Sequence, residues 1–125
     1  LIGILMQKVA PQTEARASGK AHDALVQRAL SVIERDFHRF GSLQELAGRL
    51  RVSSAHLCRA FRAHGKPSPY RVLTRRKMEH AYAQLKTSSL PIEEIALSLG
   101  FTDGFHFSRA FKKHYGYAPR VARNR

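Results

Sequence analysis

The sequence contains one cysteine, Cys58, among its 125 residues. A single cysteine excludes an internal disulfide framework and fits a reducing compartment, so we expect the chain to be cytoplasmic. The only apolar opening is LIGILM (1–6), which is far shorter than the ~20 residues that a membrane-spanning helix needs. No basic segment precedes it, as one would in a signal peptide. The sequence therefore predicts neither a transmembrane segment nor a secretory signal.

Acidic residues are also scarce. The chain has 9 Asp and Glu against 22 Lys and Arg, which gives a formal net charge of +13 and a sequence pI near 10.9. Such a charge favours an anionic partner, either a nucleic acid or an acidic membrane face. The charge alone leaves both partners open.

Catalytic motifs are absent as well. The sequence has no Gly-rich phosphate loop, no nucleophile elbow and no metal-binding motif. Four histidines recur as two pairs, His56 with His106 and His64 with His114. Because no cysteine or carboxylate lies at ligand spacing beside them, a structural role is favoured over a metal site. We expect no enzymatic activity, no metal and no cofactor.

Composition and periodicity divide the chain into a linker and one helical domain. Residues 11–21 are rich in Pro, Gly, Ser and charge and show no apolar period, which predicts a linker. An amphipathic helix should follow, ending at Gly41, because apolar residues then recur every four positions. Ser42 and Glu45 form a capping-box pattern that predicts a new helix at 42. No stretch alternates with a period of two, so the fold class should be all-α.

An internal repeat is the strongest pattern in the sequence. LQELAGRL (43–50) matches IEEIALSL (92–99) 49 residues later, and HLCRAFRAH (56–64) matches HFSRAFKKH (106–114) 50 residues later. The second copy thus has one extra residue in its turn. A helical pattern over about 70–86 joins the copies. Each copy reads as a short helix, a tight turn and a second helix, which is a helix–turn–helix unit.

The second helix of each copy has an apolar stripe and a basic stripe, because residues three and four apart share a face. The apolar stripes are Leu57, Ala60, Phe61 and His64 in the first copy, and Phe107, Ala110, Phe111 and His114 in the second. The opposite stripes are Ala55, Cys58, Arg59 and Arg62, and Phe105, Ser108, Arg109 and Lys112. An exposed basic helix of this kind can enter a DNA major groove, where an Arg fork on guanine contributes ~1–3 kcal/mol of discrimination.

Phosphate contacts are expected at the starts of these helices and around them. Ser53 and Thr102 are the expected N-caps, since free amides at a helix N-terminus suit phosphate oxygens. The expected phosphate contacts are Ser53, Ser54, Arg62, Arg71, Arg75, Arg76, Thr102, Lys112 and Lys113. A charge run is more often a solvated helix face, and helix–turn–helix geometry also occurs in structural hairpins. Matching Arg positions in two copies favour DNA binding over both alternatives.

The stretch GFTDGFHFSRAFKKHYGYAPR (100–120) resembles the C-terminal signature of the AraC/XylS family of bacterial transcription regulators, and the resemblance covers about 21–125. It implies about seven helices in two helix–turn–helix subdomains: a first unit at about 42–64, a joining helix at about 70–86 and a second unit at about 92–114. The two recognition helices would enter successive major grooves, ~34 Å apart. Motif alignment carries over as base-reading residues Ala55, Cys58, Arg59, Gly104, Phe105, Ser108 and Arg109.

The resemblance also implies partners for the chain. These are double-stranded DNA, RNA polymerase and an upstream sensor or dimerisation domain, of which residues 1–20 would be the end and the linker. The expected function is sequence-specific DNA binding as a transcription regulator. The alternative is a protein that binds nucleic acid or an anionic surface nonspecifically, through its net positive charge alone.

Four residues distinguish the two units. Arg51 stands where the second unit has Gly100, and a positive φ at a non-glycine residue would cost ~1 kcal/mol. Ala55 and Cys58 offer little hydrogen bonding, so the first unit is expected to rely on phosphates and DNA shape. Phe105 places a ring on the basic stripe, where it could pack against a thymine methyl group.

Overall fold

The computed structural model describes the backbone of residues 11–125 and the side chains of residues 19–125. All regular structure in this part of the chain is helical, which confirms the all-α prediction of about seven helices. The elements are α1 (Pro11–Asp36), a 3₁₀ turn (Phe37–Arg39), α2 (Leu43–Arg49), α3 (Ser54–Ala63), α4 (Pro69–Thr87), α5 (Ile92–Ser98), α6 (Gly104–Tyr115) and α7 (Pro119–Asn124). Helices α2 and α3 form the first unit, α4 joins the units, and α5 and α6 form the second unit.

The linker expected at 11–21 differs from the structure, because these residues form the start of α1. Proline at the first position of a helix costs no hydrogen bond, so Pro11 opens the helix instead of preventing it. Among residues 19–125 the first buried side chain is Leu25, and residues 19–21 are exposed. The upstream segment expected at 1–10 lies outside the described residues, and the domain boundary near 21 stays a prediction.

A single hydrophobic core joins α1, both units and α4. The apolar residues that recur along α1 and α4 are buried. They are Leu25, Ala29 and Ile33 on α1, and Leu73, Met78, Ala81 and Leu85 on α4. Helix α1 packs on α3, α5 packs on α6, and α4 contacts α1, α5 and α7. The largest fully buried side chains include Phe61 of the first unit and Phe107 and Phe111 of the second. The two units are therefore held by one core through α4.

The two unit turns share the same left-handed backbone conformation. Gly100 has a φ of 89° and Arg51 a φ of 62°. The residue after each turn closes it with a 3.1 Å backbone hydrogen bond, from Val52 to Ala47 in the first unit and from Phe101 to Ala96 in the second. The first turn is thus as regular as the second, although an arginine occupies the strained position.

The start of α2 differs in detail from the expected capping box. Ser42 Oγ accepts the Glu45 N–H at 3.1 Å, as expected. Glu45 Oε1 accepts the N–H of Gly41 at 2.6 Å, one residue before the N–H of Ser42 that the pattern predicts. Gly41 was also expected to end the first helix, but α1 stops at Asp36 and the 3₁₀ turn follows.

Candidate nucleic-acid interface

Helices α3 and α6 each bury one face and expose the opposite one, as the sequence predicts. Leu57, Ala60 and Phe61 of α3 are buried, as are Phe107 and Phe111 of α6, and Ala110 is half-buried. Arg59, Arg62, Arg109 and Lys112 are exposed, whereas Cys58 and Ser108 are half-buried at the edges of their stripes. Each unit therefore presents one exposed helix face that carries basic residues.

The histidines at the ends of the two apolar stripes are not in the core. His114 is exposed and His64 is half-buried, because both lie in the open last turn of a recognition helix. The ring of His64 lies 3.1 Å from the Ala60 carbonyl and 3.6 Å from Asp23 of α1. Their assignment to a buried stripe is therefore corrected. His64 serves the contact between α1 and α3.

The N-terminus of α3 matches its prediction. Ser53 is the N-cap, and its Oγ accepts the N–H of His56 at 3.0 Å. Ala55 is exposed in the first turn of the helix. This end of α3 is thus open to a partner, with a hydroxyl and small side chains around it.

The N-terminus of α6 differs from its prediction, because Asp103 and not Thr102 is the N-cap. Asp103 Oδ1 accepts the N–H of His106 at 2.9 Å and lies 2.9 Å from His106 Nδ1. The backbone hydrogen bond from His106 is the main reason why the pKa of Asp103 lies below its ordinary value. The second copy has one extra residue in its turn, so its two helices align with the first copy at different offsets. Ser53 aligns with Asp103 at the 50-residue offset of the second helices, and with Thr102 at the 49-residue offset of the first helices.

Gly104 is half-buried and packs against the preceding helix, and its base-reading role stays a prediction. Its N–H donates to Glu93 Oε1 of α5 at 3.0 Å, and a Cβ on Gly104 would come within 2.5 Å of that oxygen. A larger residue there would therefore have to displace the flexible end of the Glu93 side chain. With Glu93 and Asp103 holding amides of the first turn, the N-terminus of α6 is less suited to a phosphate than that of α3.

Phe105 and Arg109 lie one turn apart on the exposed face of α6. The Phe105 side chain is 65% exposed, the largest exposed fraction among the large apolar residues whose side chains are described. The Arg109 guanidinium carbon lies 5.7 Å from the centroid of the ring. This arrangement holds an aromatic ring and a planar cation side by side on the surface.

The predicted phosphate contacts on α4 fall in three different environments. Arg71 lines a groove of about 720 Å³ between the start of α4 and α6, together with Lys113. Arg75 is exposed and pairs with Glu79 on the same helix at 3.5 Å. Of the predicted phosphate contacts on α4, Arg71 is the one that lines a groove together with a basic residue of α6.

Arg76 is turned toward α1. Its side chain is 25% exposed, its Nε lies 3.2 Å from Glu34, and its guanidinium stacks 4.3 Å above the Phe37 ring. These contacts hold α4 against α1, so the structure separates Arg76 from the basic surface. No sequence pattern signals the pairing, because Glu34 belongs to a distant helix.

In the part of the chain that the structure describes, no three His, Cys, Asp or Glu side chains are placed to hold a metal ion. None of the described helices combines the length and apolar character needed to cross a membrane. His56 instead makes an edge contact with His22 of α1, with ring centroids 5.5 Å apart.

Comparisons with known proteins place this geometry among regulators. A family described as a helix-turn-helix domain matches residues 46–125. The raffinose operon transcriptional regulatory protein RafR of Pediococcus pentosaceus is 32% identical over 95 residues, which cover 76% of this chain and 34% of RafR. The chain spans about a third of the length of the curated relatives it matches.

Two solved structures show the same fold. The C-terminal domain of AraT, a response regulator from Geobacillus stearothermophilus, superposes with a TM-score of 0.73 at 35% identity, covering 80% of this chain and 84% of that one. A transcriptional regulator with an AraC-type DNA-binding domain from Chromobacterium violaceum superposes with a TM-score of 0.68 at 26% identity, covering 84% and 94%.

Proposed function

Because the chain belongs to the AraC/XylS family of helix-turn-helix transcription regulators, we propose that it binds double-stranded DNA sequence-specifically, with α3 and α6 in successive major grooves. The observation that carries the proposal is the pair of matched units in one chain, each with an exposed basic recognition helix. Two such helices on one chain can do what a dimer of single helix–turn–helix proteins does.

The second unit is the stronger base reader in this proposal. Arg109 can donate a two-pronged hydrogen bond to guanine O6 and N7, and Ser108 can bond to either kind of base edge. The exposed Phe105 ring can contact a thymine methyl group. Because Arg109 lies against that ring, the guanidinium is partly oriented before DNA arrives.

The first unit reads fewer bases. Arg59 is its one strong hydrogen-bond donor to a base, since Ala55 and Cys58 are small side chains on the same stripe. Its open N-terminus at Ser53 and Ser54 and the exposed Arg62 favour phosphate contacts, which carry no sequence information. We expect this unit to contribute affinity and DNA-shape preference more than base discrimination.

The remaining partners follow from the family. Since the chain spans about a third of the length of its curated relatives, it would act beside an upstream sensor or dimerisation domain. Residues 1–20 would be the end of that domain and the linker. Contact with RNA polymerase and a cytoplasmic location belong to the same proposal. Its role is binding, without catalysis.

Selection of bound sequences from a random duplex library tests the proposal. We expect enrichment of two motifs about one helical turn apart, with the sharper motif under α6. An Arg59→Ala/Arg109→Ala variant is the control, which should still bind duplex DNA but enrich a weaker motif that lacks the guanine preferences. If the unaltered chain enriched no motif, or if anionic vesicles competed as well as duplex DNA, the nonspecific alternative would replace the proposal.

A further inference from the structure

Lys77 is the only charged side chain that is buried among residues 19–125. It lies on the buried face of α4 and is 4% exposed. Its Nζ donates a hydrogen bond to the carbonyl of Phe40, in the segment that precedes the first unit. The same ammonium lies 5.2 Å from the ring centroid of Phe101, in the turn of the second unit. One side chain of the joining helix thus contacts the turn of the second unit and the segment that leads into the first, which is itself bonded to α2 through Gly41 and Glu45.

Beside Lys77, the turn of the second unit approaches the backbone of the segment that precedes α2. A Cβ on Gly100 would lie 3.1 Å from the His38 carbonyl oxygen and 3.7 Å from Lys77 Nζ. A Cβ on Gly41 would lie 3.5 Å from the Gly100 carbonyl oxygen. The turn of the second unit therefore rests on the segment before α2, with little room for another side chain.

This contact explains the asymmetry between the two turns. Both Arg51 and Gly100 have a positive φ, so the left-handed conformation alone does not require glycine. Arg51 is exposed, whereas Gly100 faces the His38 carbonyl. The second turn needs glycine because another part of the backbone lies against it.

Burying an ammonium disfavours folding unless the charge is paired and hydrogen-bonded. Burial lowers the pKa of Lys77, while the charge of Glu45 opposes that effect. An apolar side chain could fill the same helix face without removing a charge from water. The best-attested use of such a buried polar group is to select one arrangement of the elements around it.

We propose that Lys77 is a positioning residue, which fixes the orientation of the second unit relative to the first and hence the interval between the two half-sites that the protein accepts. The positioning follows from the contacts above, and the consequence for half-sites rests on the proposed two-groove binding. Since adjacent base pairs are rotated by about a tenth of a turn, a small change in the angle between α3 and α6 alters the preferred interval.

The first test measures the geometry without DNA. Spin labels on cysteines introduced at Lys66, after α3, and at the exposed Glu94 of α5 report the distance between the two units in a Cys58→Ser background. We expect Lys77→Met to shift or broaden the distance distribution and Lys77→Arg to restore it, since an adjoining groove of about 290 Å³ can admit the guanidinium. An unchanged distribution in folded Lys77→Met would overturn the proposal.

A second variant keeps this test decisive if Lys77→Met does not fold. Phe101→Leu leaves Lys77 bonded to Phe40 but removes the ring beside the ammonium. It should broaden the same distribution. A distribution as narrow as that of the unaltered chain would overturn the proposal.

The second test uses DNA and separates this inference from the proposed function. Duplexes carry the selected half-sites at the selected interval, or at an interval one base pair shorter or longer. The unaltered chain should prefer the selected interval by about tenfold (about 1.4 kcal/mol), and Lys77→Met should lose most of that preference while Lys77→Arg keeps it. A chain that prefers no site overturns the proposed function; an interval preference that Lys77→Met fully retains overturns the role of Lys77.

Discussion

Arg109 and Lys112 lie on the same exposed stripe of α6 but carry different donors. A guanidinium offers two parallel donors to guanine, whereas an ammonium is a point charge that suits a phosphate. We predict that Arg109→Ala removes ~1–3 kcal/mol of discrimination between the selected site and a site with one altered base pair. Lys112→Ala should weaken binding to every duplex alike and lower the salt slope by about 1. Fluorescence anisotropy on both duplexes measures the two effects.

Arg109→Lys is the matched control for that prediction. It keeps the positive charge but loses the fork, so general affinity should remain while discrimination falls. Equal losses for Arg109→Ala and Lys112→Ala on every sequence would contradict base reading by α6.

Phe105 and Phe107 are two residues apart on α6 yet lie on opposite faces. Phe105 is 65% exposed, whereas Phe107 is fully buried and packs 5.5 Å from Phe101. We predict that Phe105→Ala leaves thermal stability nearly unchanged and relaxes the preference at one base pair. Phe107→Ala is the comparison, and it should cost ~3–5 kcal/mol of unfolding free energy because it empties the core. A large loss of stability in Phe105→Ala would argue against its role in reading DNA.

At the scale of the helix, the start of α6 gives a test of capping. Thr102 is exposed and Asp103 holds the His106 N–H, so Thr102→Ala should leave the midpoint of thermal unfolding unchanged and Asp103→Ala should lower it. Ser53→Ala removes the corresponding cap of α3 and should cost ~1 kcal/mol. Thermal unfolding followed by circular dichroism compares the three variants. A larger effect from Thr102→Ala than from Asp103→Ala would reverse the assignment.

The Asp103 cap also has a defined pH dependence. Its pKa in the folded chain lies below the ordinary 3.8, so the unfolded state binds the proton more readily. The stabilisation is therefore complete above about pH 3.8 and disappears as pH falls through the lower, folded value. Asp103→Asn keeps a cap without the charge, so its stability should fall less over that range. Parallel pH profiles that coincide for both chains would contradict this effect.

Local patterns predicted the elements better than the contacts between them. The repeat and the apolar period were sufficient for α2 to α6 and for both turns, because they report on one element at a time. Composition misassigned 11–21, since proline and glycine there do not exclude a helix start. The N-cap of α6 was assigned to Thr102 instead of Asp103, because the extra residue in the turn changes the alignment of the two copies by one position.

Contacts between distant elements left no signal in the sequence. The sequence predicts Arg76 as a phosphate contact, but the structure pairs it with Glu34. The bond from Lys77 to Phe40 depends on how α4 packs against the segment before α2. Both side chains are basic, and the hydrophobic periodicity of α4 does not distinguish a packed basic side chain from a solvent-exposed one. Their roles are set by tertiary packing.

At the scale of the whole molecule, the net charge of +13 acts against folding and for DNA binding. Like charges repel one another in the compact state, and the described ion pairs offset only part of this. Most involve exposed side chains, and such pairs contribute little. The tightest cluster surrounds Asp36, whose pKa is lowered chiefly by the hydrogen bond from Arg49 at 2.8 Å. Among residues 19–125, most Lys and Arg side chains are therefore left without a partner carboxylate.

This imbalance predicts opposite responses to salt for stability and for binding. From 0.01 M to 0.15 M salt the screening length falls from about 30 Å to about 8 Å, so repulsion between distant cations weakens and the midpoint of thermal unfolding should rise. DNA affinity should fall over the same range, because each phosphate contact contributes about −0.9 to the slope of log affinity against log salt. If five to eight of the candidate contacts form, the slope should be about −5 to −7. A midpoint that falls with salt would mean that ion pairs outweigh repulsion, whereas a slope near zero would mean that the basic faces do not meet the phosphates.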